Sequence, residues 1–145
     1  MVPAHRTLAE LLAEAAARIE RLSAAEAHAE AEDGALVVDI RSDTSRARDG
    51  VVPGSLHVPR TVLEWRFAPD SDWRSPYAVG TDERVIVLCD HGFSSVFAAA
   101  SLADLGFTRA ADVVGGFVAW RDAGLPTAAA PQSPTHELPG MGPPD

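Results

Sequence analysis

Val85-Ile86-Val87-Leu88-Cys89-Asp90-His91-Gly92-Phe93-Ser94-Ser95 is the stretch from which the rest of the chain can be read. Four apolar residues, three of them β-branched, lead into the sole cysteine. A short polar loop with one glycine follows, then two serines and the alanine-rich run Val96 to Ala103. In physical terms this is a buried strand, a tight loop and a helix start. A thiol between the carboxyl end of a strand and the amino end of a helix stands where open α/β sheets place their chemistry.

The flanking sequence repeats the strand–helix alternation. Thr7-Leu8-Ala9-Glu10 fits a capping box, and Leu8, Leu11, Leu12, Ala15, Ile19 and Leu22 recur at helical spacing. This predicts a helix of about four turns that gives way to a short extended piece near Ile19 to Leu22. Ser23-Ala24-Ala25-Glu26 opens a second helix that ends at Asp33-Gly34. Leu36 to Ile40 is a nearly continuous apolar run, as in a parallel strand covered on both faces. Arg41 to Gly50 reads as polar loop, Pro53-Gly54 as a turn, and Ser55 to Val58 as a short strand closed by Pro59. Thr61 to Ala68 reads as one or two helical turns and Pro69 to Thr81 as loop. After the opening stretch come a helix to Leu105 with Gly106 beyond its end, a strand from Ala110 to Val114, and a helix from Phe117 to Ala123. The chain carries no internal repeat.

The expected fold class is therefore α/β, a three-layer α/β/α domain with a central, mostly parallel sheet and right-handed crossovers. The domain is expected over residues 7–127, with a disordered N-terminus at 1–6 and a disordered proline-rich tail at 128–145. A chain of 145 residues suffices for one such domain and buries about two-thirds of its unfolded surface.

Composition narrows the function. The formal net charge of -9 argues against nucleic acid, which needs a basic face. It leaves room for a small anion, because a cradle of backbone N–H groups can bind one inside an acidic protein. No apolar run reaches the length of a membrane span, and Glu10 and Glu14 interrupt the apolar residues near the N-terminus, so no membrane segment or signal peptide is expected. A single thiol excludes an internal disulfide, and no His/Cys cluster has metal-ligand spacing, so neither a metal nor another cofactor is expected. The expected compartment is the cytoplasm, where the thiol stays reduced.

Cys89 is the candidate catalytic residue. The thiolate is the nucleophile, and a helix N-terminus lowers a cysteine pKa below its free value of about 8.5. The amides of Asp90, His91, Gly92, Phe93, Ser94 and Ser95 are the candidate substrate cradle, and Gly92 permits the backbone angle a tight loop needs. The plainer alternatives are a buried cysteine acting as a small hydrophobe, an exposed loop histidine without a role, and serines that only cap the helix. Asp90 is expected to face outward or serve the loop's own hydrogen bonds, since an inward carboxylate disfavours the thiolate.

The order of these features resembles the rhodanese-like domain, the sulfurtransferase fold. The likeness covers about residues 20–127. It rests on Val38-Asp39-Ile40-Arg41, similar to the family's Asp-x-Arg, and on Val52-Pro53-Gly54-Ser55-Leu56-His57-Val58-Pro59, similar to its Ile-Pro-Gly-Ala…Ile-Pro segment. It rests also on the Cys89 loop and on Gly115-Gly116-Phe117-Val118-Ala119-Trp120 with Gly124 and Pro126 beyond. The resemblance implies that Cys89 takes a sulfane sulfur from thiosulfate or a persulfide and passes it to a thiophilic acceptor such as cyanide, a thiol or a sulfur-accepting protein. Cys89 to Ser94 has the loop length of the family's sulfurtransferases, whereas its phosphatases carry one residue more. Two departures stand out. Ser94 occupies a position where the family often has arginine, and Val51 one where it often has histidine. Arg60 and Arg66 are candidate replacements for the missing cation, with solvated surface arginines as the plainer reading, and Trp65 is a candidate wall of the site, with core packing as the plainer reading. Asp39, Arg41, Trp120 and the double glycine are read as structural. A non-catalytic binding or regulatory module and a small cysteine phosphatase are the competing functions.

Overall fold

The apolar runs become the middle of a parallel sheet. The computed structural model describes residues 5–131 and 138–145. Among them are β1 (Glu20–Leu22), β2 (Leu36–Asp39), β3 (Leu56–His57), β4 (Val85–Leu88) and β5 (Ala110–Val113). They pair in the order β1-β5-β4-β2-β3, every pair parallel. The helices are α1 (Leu8–Ala16), α2 (Ala24–Glu32), α3 (Asp43–Asp49), α4 (Leu63–Phe67), α5 (Ser94–Asp104) and α6 (Gly116–Asp122), with a 3-10 turn at Arg60–Val62 before α4.

Successive side chains of a strand alternate between faces, so β4 feeds two cores. Val85, Val87 and Cys89 join Val38, Leu63 and Phe67 of α4, and Ala98, Ala99 and Leu102 of α5. Ile86 and Leu88 join Val37, Ala24 and Ala27 of α2, and Phe117 and Trp120 of α6. Helix α1 stacks outside α5 through Ala15, Val96 and Ala100. The result is the expected three-layer α/β/α arrangement, with α1 as an added helix on one side. Each large buried side chain, such as Phe67 or Trp120, contributes about 1.5–3 kcal/mol through burial.

Both N-terminal helices begin as the sequence implies. The Thr7 hydroxyl accepts from Glu10 N–H, and Ser23 and Glu26 form a complete capping box. The segment 41–50 differs from expectation, because α3 forms there. It carries no apolar stripe for the sequence to show. Ser42 caps it by accepting from Ser45 N–H, and its anchor is a charged side chain. Arg46, only 6% exposed, lies between Asp39, His57 and the Asp145 carboxylate. The start of α5 differs as well. Ser94 and Ser95 lie within the helix, Phe93 holds the cap position, and no side chain caps it.

Of the segments expected to be disordered, residues 1–4 and 132–137 lie outside the described residues. Residues 138–145 lie against the domain. Gly54 N–H donates to the Asp145 carbonyl and Asp145 N–H to the Ser55 carbonyl, at 2.7 and 2.8 Å, beside the edge strand β3. Arg66 Nε donates to the Pro139 carbonyl at 2.7 Å, and Ala128 bridges Val51. A segment poor in apolar residues is thus held by backbone and ionic bonds.

At the end of β2, Asp39 is fully buried and accepts from Arg41 three times, from its N–H and Nε at 3.0 Å and from its terminal nitrogen at 2.7 Å. The same guanidinium lies 4.0 Å over the Phe117 ring and donates to the Gly50 carbonyl. This pair ties β2, the approach to β3, and α6 together. Asp39→Ala leaves a buried arginine without its counter-charge and is expected to lower the unfolding free energy by about 3–5 kcal/mol in a urea titration. A loss below about 1 kcal/mol would show that the pair contributes only what an exposed one does.

Candidate functional site

Cys89 directly follows β4, and its residue is 5% exposed. The chain then curls through Asp90 to Phe93 into α5. Gly92 N–H donates to Cys89 Sγ at 3.1 Å. Gly92 has φ +80°, and a Cβ there would lie 2.6 Å from Gly115 N and 3.1 Å from the Val113 carbonyl. Only glycine meets both conditions without strain.

The loop carbonyls are held from outside. Phe117 N–H donates to the Cys89 carbonyl at 2.8 Å and Val118 N–H to the Asp90 carbonyl at 3.1 Å, so the amino end of α6 docks on the loop backbone. Gly116 makes this approach possible. A Cβ there would stand 2.4 Å from the Cys89 carbonyl oxygen. Arg21 of β1 donates to the Gly92 carbonyl at 3.1 Å. In a trans peptide the next N–H points away from the carbonyl, so holding these oxygens outward turns the following amides the other way. Among the described residues, the N–H groups of His91, Phe93, Ser94 and Ser95 donate to no protein acceptor. Such a cluster of free amides at a helix start can receive an anion or a charged sulfur.

The side chains divide clearly. Asp90 accepts from the Ser45 hydroxyl of α3 at 3.4 Å, which engages its carboxylate with a neighbouring helix. His91 is exposed, with its ring 6.1 Å from that of Phe93 between centroids. Phe93 is 76% exposed at the rim. Ser94 is exposed at the first position of α5, while Ser95 is buried and donates through Oγ to Asp112 Oδ2 at 2.7 Å.

Arg60 and Arg66 are engaged away from the loop. Arg60 forks onto Glu64 at 2.9 and 3.0 Å. Burial pushes the Glu64 carboxyl up, but the Ser101 hydroxyl, its own backbone N–H and Arg60 together hold it below the usual range. Arg66 is not the solvated surface residue of the plainer reading. It is 5% exposed and donates to the Pro139 and Trp73 carbonyls. Among the described residues neither arginine hydrogen-bonds to the loop. Trp65 is 56% exposed, so it is not core either. The residues that the sequence reading missed are Arg21 and Asp112. Arg21 falls in the extended piece near Ile19 to Leu22 and Asp112 in the strand from Ala110 to Val114, and neither segment by itself assigns its charge a role. Their signal was a charge inside each of two short strands, legible only once those strands are known to be neighbours.

Among the described residues, no group of three or more His, Cys, Asp or Glu side chains is placed to hold a metal ion. No helix among them is long and apolar enough to cross a membrane.

Comparison with known proteins agrees with this geometry. The family profile of the rhodanese-like domain matches residues 23–123. The thiosulfate sulfurtransferase GlpE of Stutzerimonas stutzeri is 37% identical over 102 residues, spanning 70% of this chain and 84% of the relative. A sulfurtransferase of Allochromatium vinosum is 31% identical over 94 residues, 65% of this chain and 78% of the relative. Among solved structures, a Rhodopseudomonas palustris protein of unknown function, described as a possible tyrosine phosphatase, superposes with a TM-score of 0.78 and 35% identity over 88% of this chain and 98% of its own. A thiosulfate sulfurtransferase of Pseudomonas aeruginosa gives 0.64 and 26% identity over 81% of this chain and 22% of its own.

Gly92→Ala adds a side chain where φ is positive and the space is filled by the Gly115 backbone. It is expected to cost about 1–3 kcal/mol of stability and to slow alkylation of Cys89 by iodoacetamide at neutral pH at least about tenfold. Thermal unfolding and intact-mass kinetics check both, and wild-type alkylation in the folded variant would contradict the role of the Gly92 N–H.

Proposed function

The chain belongs to the rhodanese-like domain family, and from that footing we propose that Cys89 is the sulfur-carrying nucleophile of this rhodanese-type sulfurtransferase. The observation that carries the reading is the Cys89 loop itself. A lone thiol accepts a backbone N–H, with further unpaired amides beside it. These suit the stabilisation of an anionic sulfur, because fixed donors in a partly dry site need no reorganisation.

The chemistry balances without any oxidant. The Cys89 thiolate attacks the outer sulfur of a donor such as thiosulfate. A sulfur–sulfur bond forms as the donor's own breaks, and sulfite leaves with the bonding pair. The Cys89 persulfide keeps one negative charge on its terminal sulfur, which the loop amides receive. Cyanide or a thiolate then attacks that terminal sulfur, and Cys89 leaves as thiolate. The sulfur donor and acceptor are the partners the reaction requires, with a sulfur-accepting protein as one form of acceptor and the cytoplasm as the compartment.

A phosphatase reading draws only on the description of the Rhodopseudomonas palustris relative. A phosphate dianion asks for a cation in the loop, and this loop has Ser94 at its sixth position. Thiosulfate carries the same charge, so a persulfide with its smaller charge is the better donor here.

Incubation with thiosulfate, and separately with a small-molecule persulfide, followed by intact-mass analysis tests this. The expected result is one added sulfur on Cys89, formed faster from the persulfide, discharged by cyanide, and absent in Cys89→Ser. A folded wild-type protein that takes up sulfur from neither donor sinks the proposal, and rapid turnover of an aryl phosphate would put the phosphatase in its place.

A further inference from the structure

Arg21 lies outside the segment that matches the family profile, yet among the described residues it is the only arginine whose guanidinium donates to the Cys89 loop. It stands directly opposite Asp112 in the β1–β5 register. The two side chains form a fork, with Nε to Oδ1 at 2.9 Å and a terminal nitrogen to Oδ2 at 3.0 Å. The same terminal nitrogen donates to the Gly92 carbonyl at 3.1 Å. Asp112 is fully buried and also accepts from the Ser95 hydroxyl at 2.7 Å. One buried carboxylate therefore links β1, β5 and the first turn of α5, and the arginine that compensates it reaches the loop's glycine.

We propose that Arg21 is a positioning residue for sulfur transfer at Cys89, locking the Gly92–Phe93 peptide and bringing a fixed positive charge to the loop. The inference rests on the reading of Cys89 as the sulfur carrier. Glycine samples more backbone conformations than any other residue, so its flanking peptides are the part of the loop most able to flip. With the Gly92 carbonyl on Arg21, the Phe93 N–H is turned to the opposite side of the chain. The fork limits where the guanidinium can go, because bidentate arginine–carboxylate pairs are geometrically selective. The side chain is 35% exposed and borders a groove of about 680 Å³ that Leu8, Leu12, Phe93 and Phe97 also line. Its charge is therefore partly shielded from water beside the loop.

Electrostatics points the same way. Arg21 is held above its ordinary pKa chiefly by the hydrogen bond to Asp112. Burial opposes this, while the charges of Asp112 and then Cys89 add to it. Removing the guanidinium removes a charge that favours the thiolate. The other charged or titratable groups around the loop are Asp90 and His91 on it, Asp112 on β5, the Asp39–Arg41 pair at the end of β2, and Arg48, whose field reaches Asp90. None but Asp112 is altered in the test.

The test compares wild type, Arg21→Gln, Arg21→Lys and the double variant Arg21→Gln/Asp112→Asn. The double variant removes both charges, so no lone buried carboxylate threatens the fold. Iodoacetamide alkylation of Cys89 is followed against pH, and kcat and KM are measured with a persulfide donor. In Arg21→Gln and in the double variant, alkylation at pH 7 is expected to fall roughly tenfold, as expected for losing one charge-assisted hydrogen bond and one favourable charge. The profile moves to higher pH, and kcat falls more than KM rises. Arg21→Lys, which keeps the charge but replaces the planar fork with a single nitrogen, recovers part of the rate. A folded double variant whose alkylation profile and kcat stay within about twofold of wild type overturns the proposal, since a merely structural pair predicts no more. Alkylation needs no sulfur donor. A shifted profile in a protein that takes up no sulfane sulfur would therefore support the clamp and overturn only the sulfurtransferase reading.

Discussion

The loop after β4 depends on where its carbonyl oxygens go. Those of Cys89 and Asp90 accept from the first free amides of α6, and that of Gly92 accepts from Arg21. Each bond holds a peptide plane in one orientation, and the N–H on the far side of the plane follows. The His91 and Phe93 N–H groups, which follow the held Asp90 and Gly92 oxygens, donate to no acceptor among the described residues, beside the Gly92 N–H that donates to Cys89 Sγ. Gly116 is part of that arrangement, although its backbone lies in another element. Any side chain there would collide with the Cys89 carbonyl and push α6 off the loop.

The strands on either side of β4 show the same device twice. Asp39 on β2 and Asp112 on β5 are both fully buried, and each is forked by an arginine, Arg41 and Arg21. A carboxylate in such a place is costly unless paired and hydrogen-bonded, and removing one partner costs more than the pair contributes. Their effect is to fix geometry. Asp39 joins the end of β2 to α6 through the Arg41–Phe117 stack, and Asp112 joins β1 to the start of α5 through Ser95. Strand β4 lies between two rigid ends, and its loop inherits that rigidity.

With a net charge of -9 and Ser94 at the loop's sixth position, the donors the loop itself offers are backbone amides. The Arg21 guanidinium, which alone among the arginines of the described residues donates to the loop, is already shared with Asp112. Arg60 and Arg66, closer in sequence to the expected position of a substrate, are engaged with Glu64 and with the C-terminal segment.

The strand–Cys–loop–helix stretch, the alternation of elements, the capping boxes and the position of the thiol were legible from residues alone. These depend on local patterns: hydrophobic periodicity, glycine at turns, hydroxyls before helices. Helix α3 was not legible, because it is anchored by Arg46 rather than by an apolar stripe. Nor was the packing of residues 138–145, whose bonds reach across the domain to Gly54, Ser55 and Arg46. The sequence by itself determined that a cysteine would sit at a helix start in a parallel α/β domain. Only the tertiary structure decided which groups hold that loop. Arg21 and Asp112 are 91 residues apart and meet only because β1 adds to the sheet beside β5. Pairing between distant strands has no local signature, so a charge inside a short strand carries no meaning until its neighbour is known.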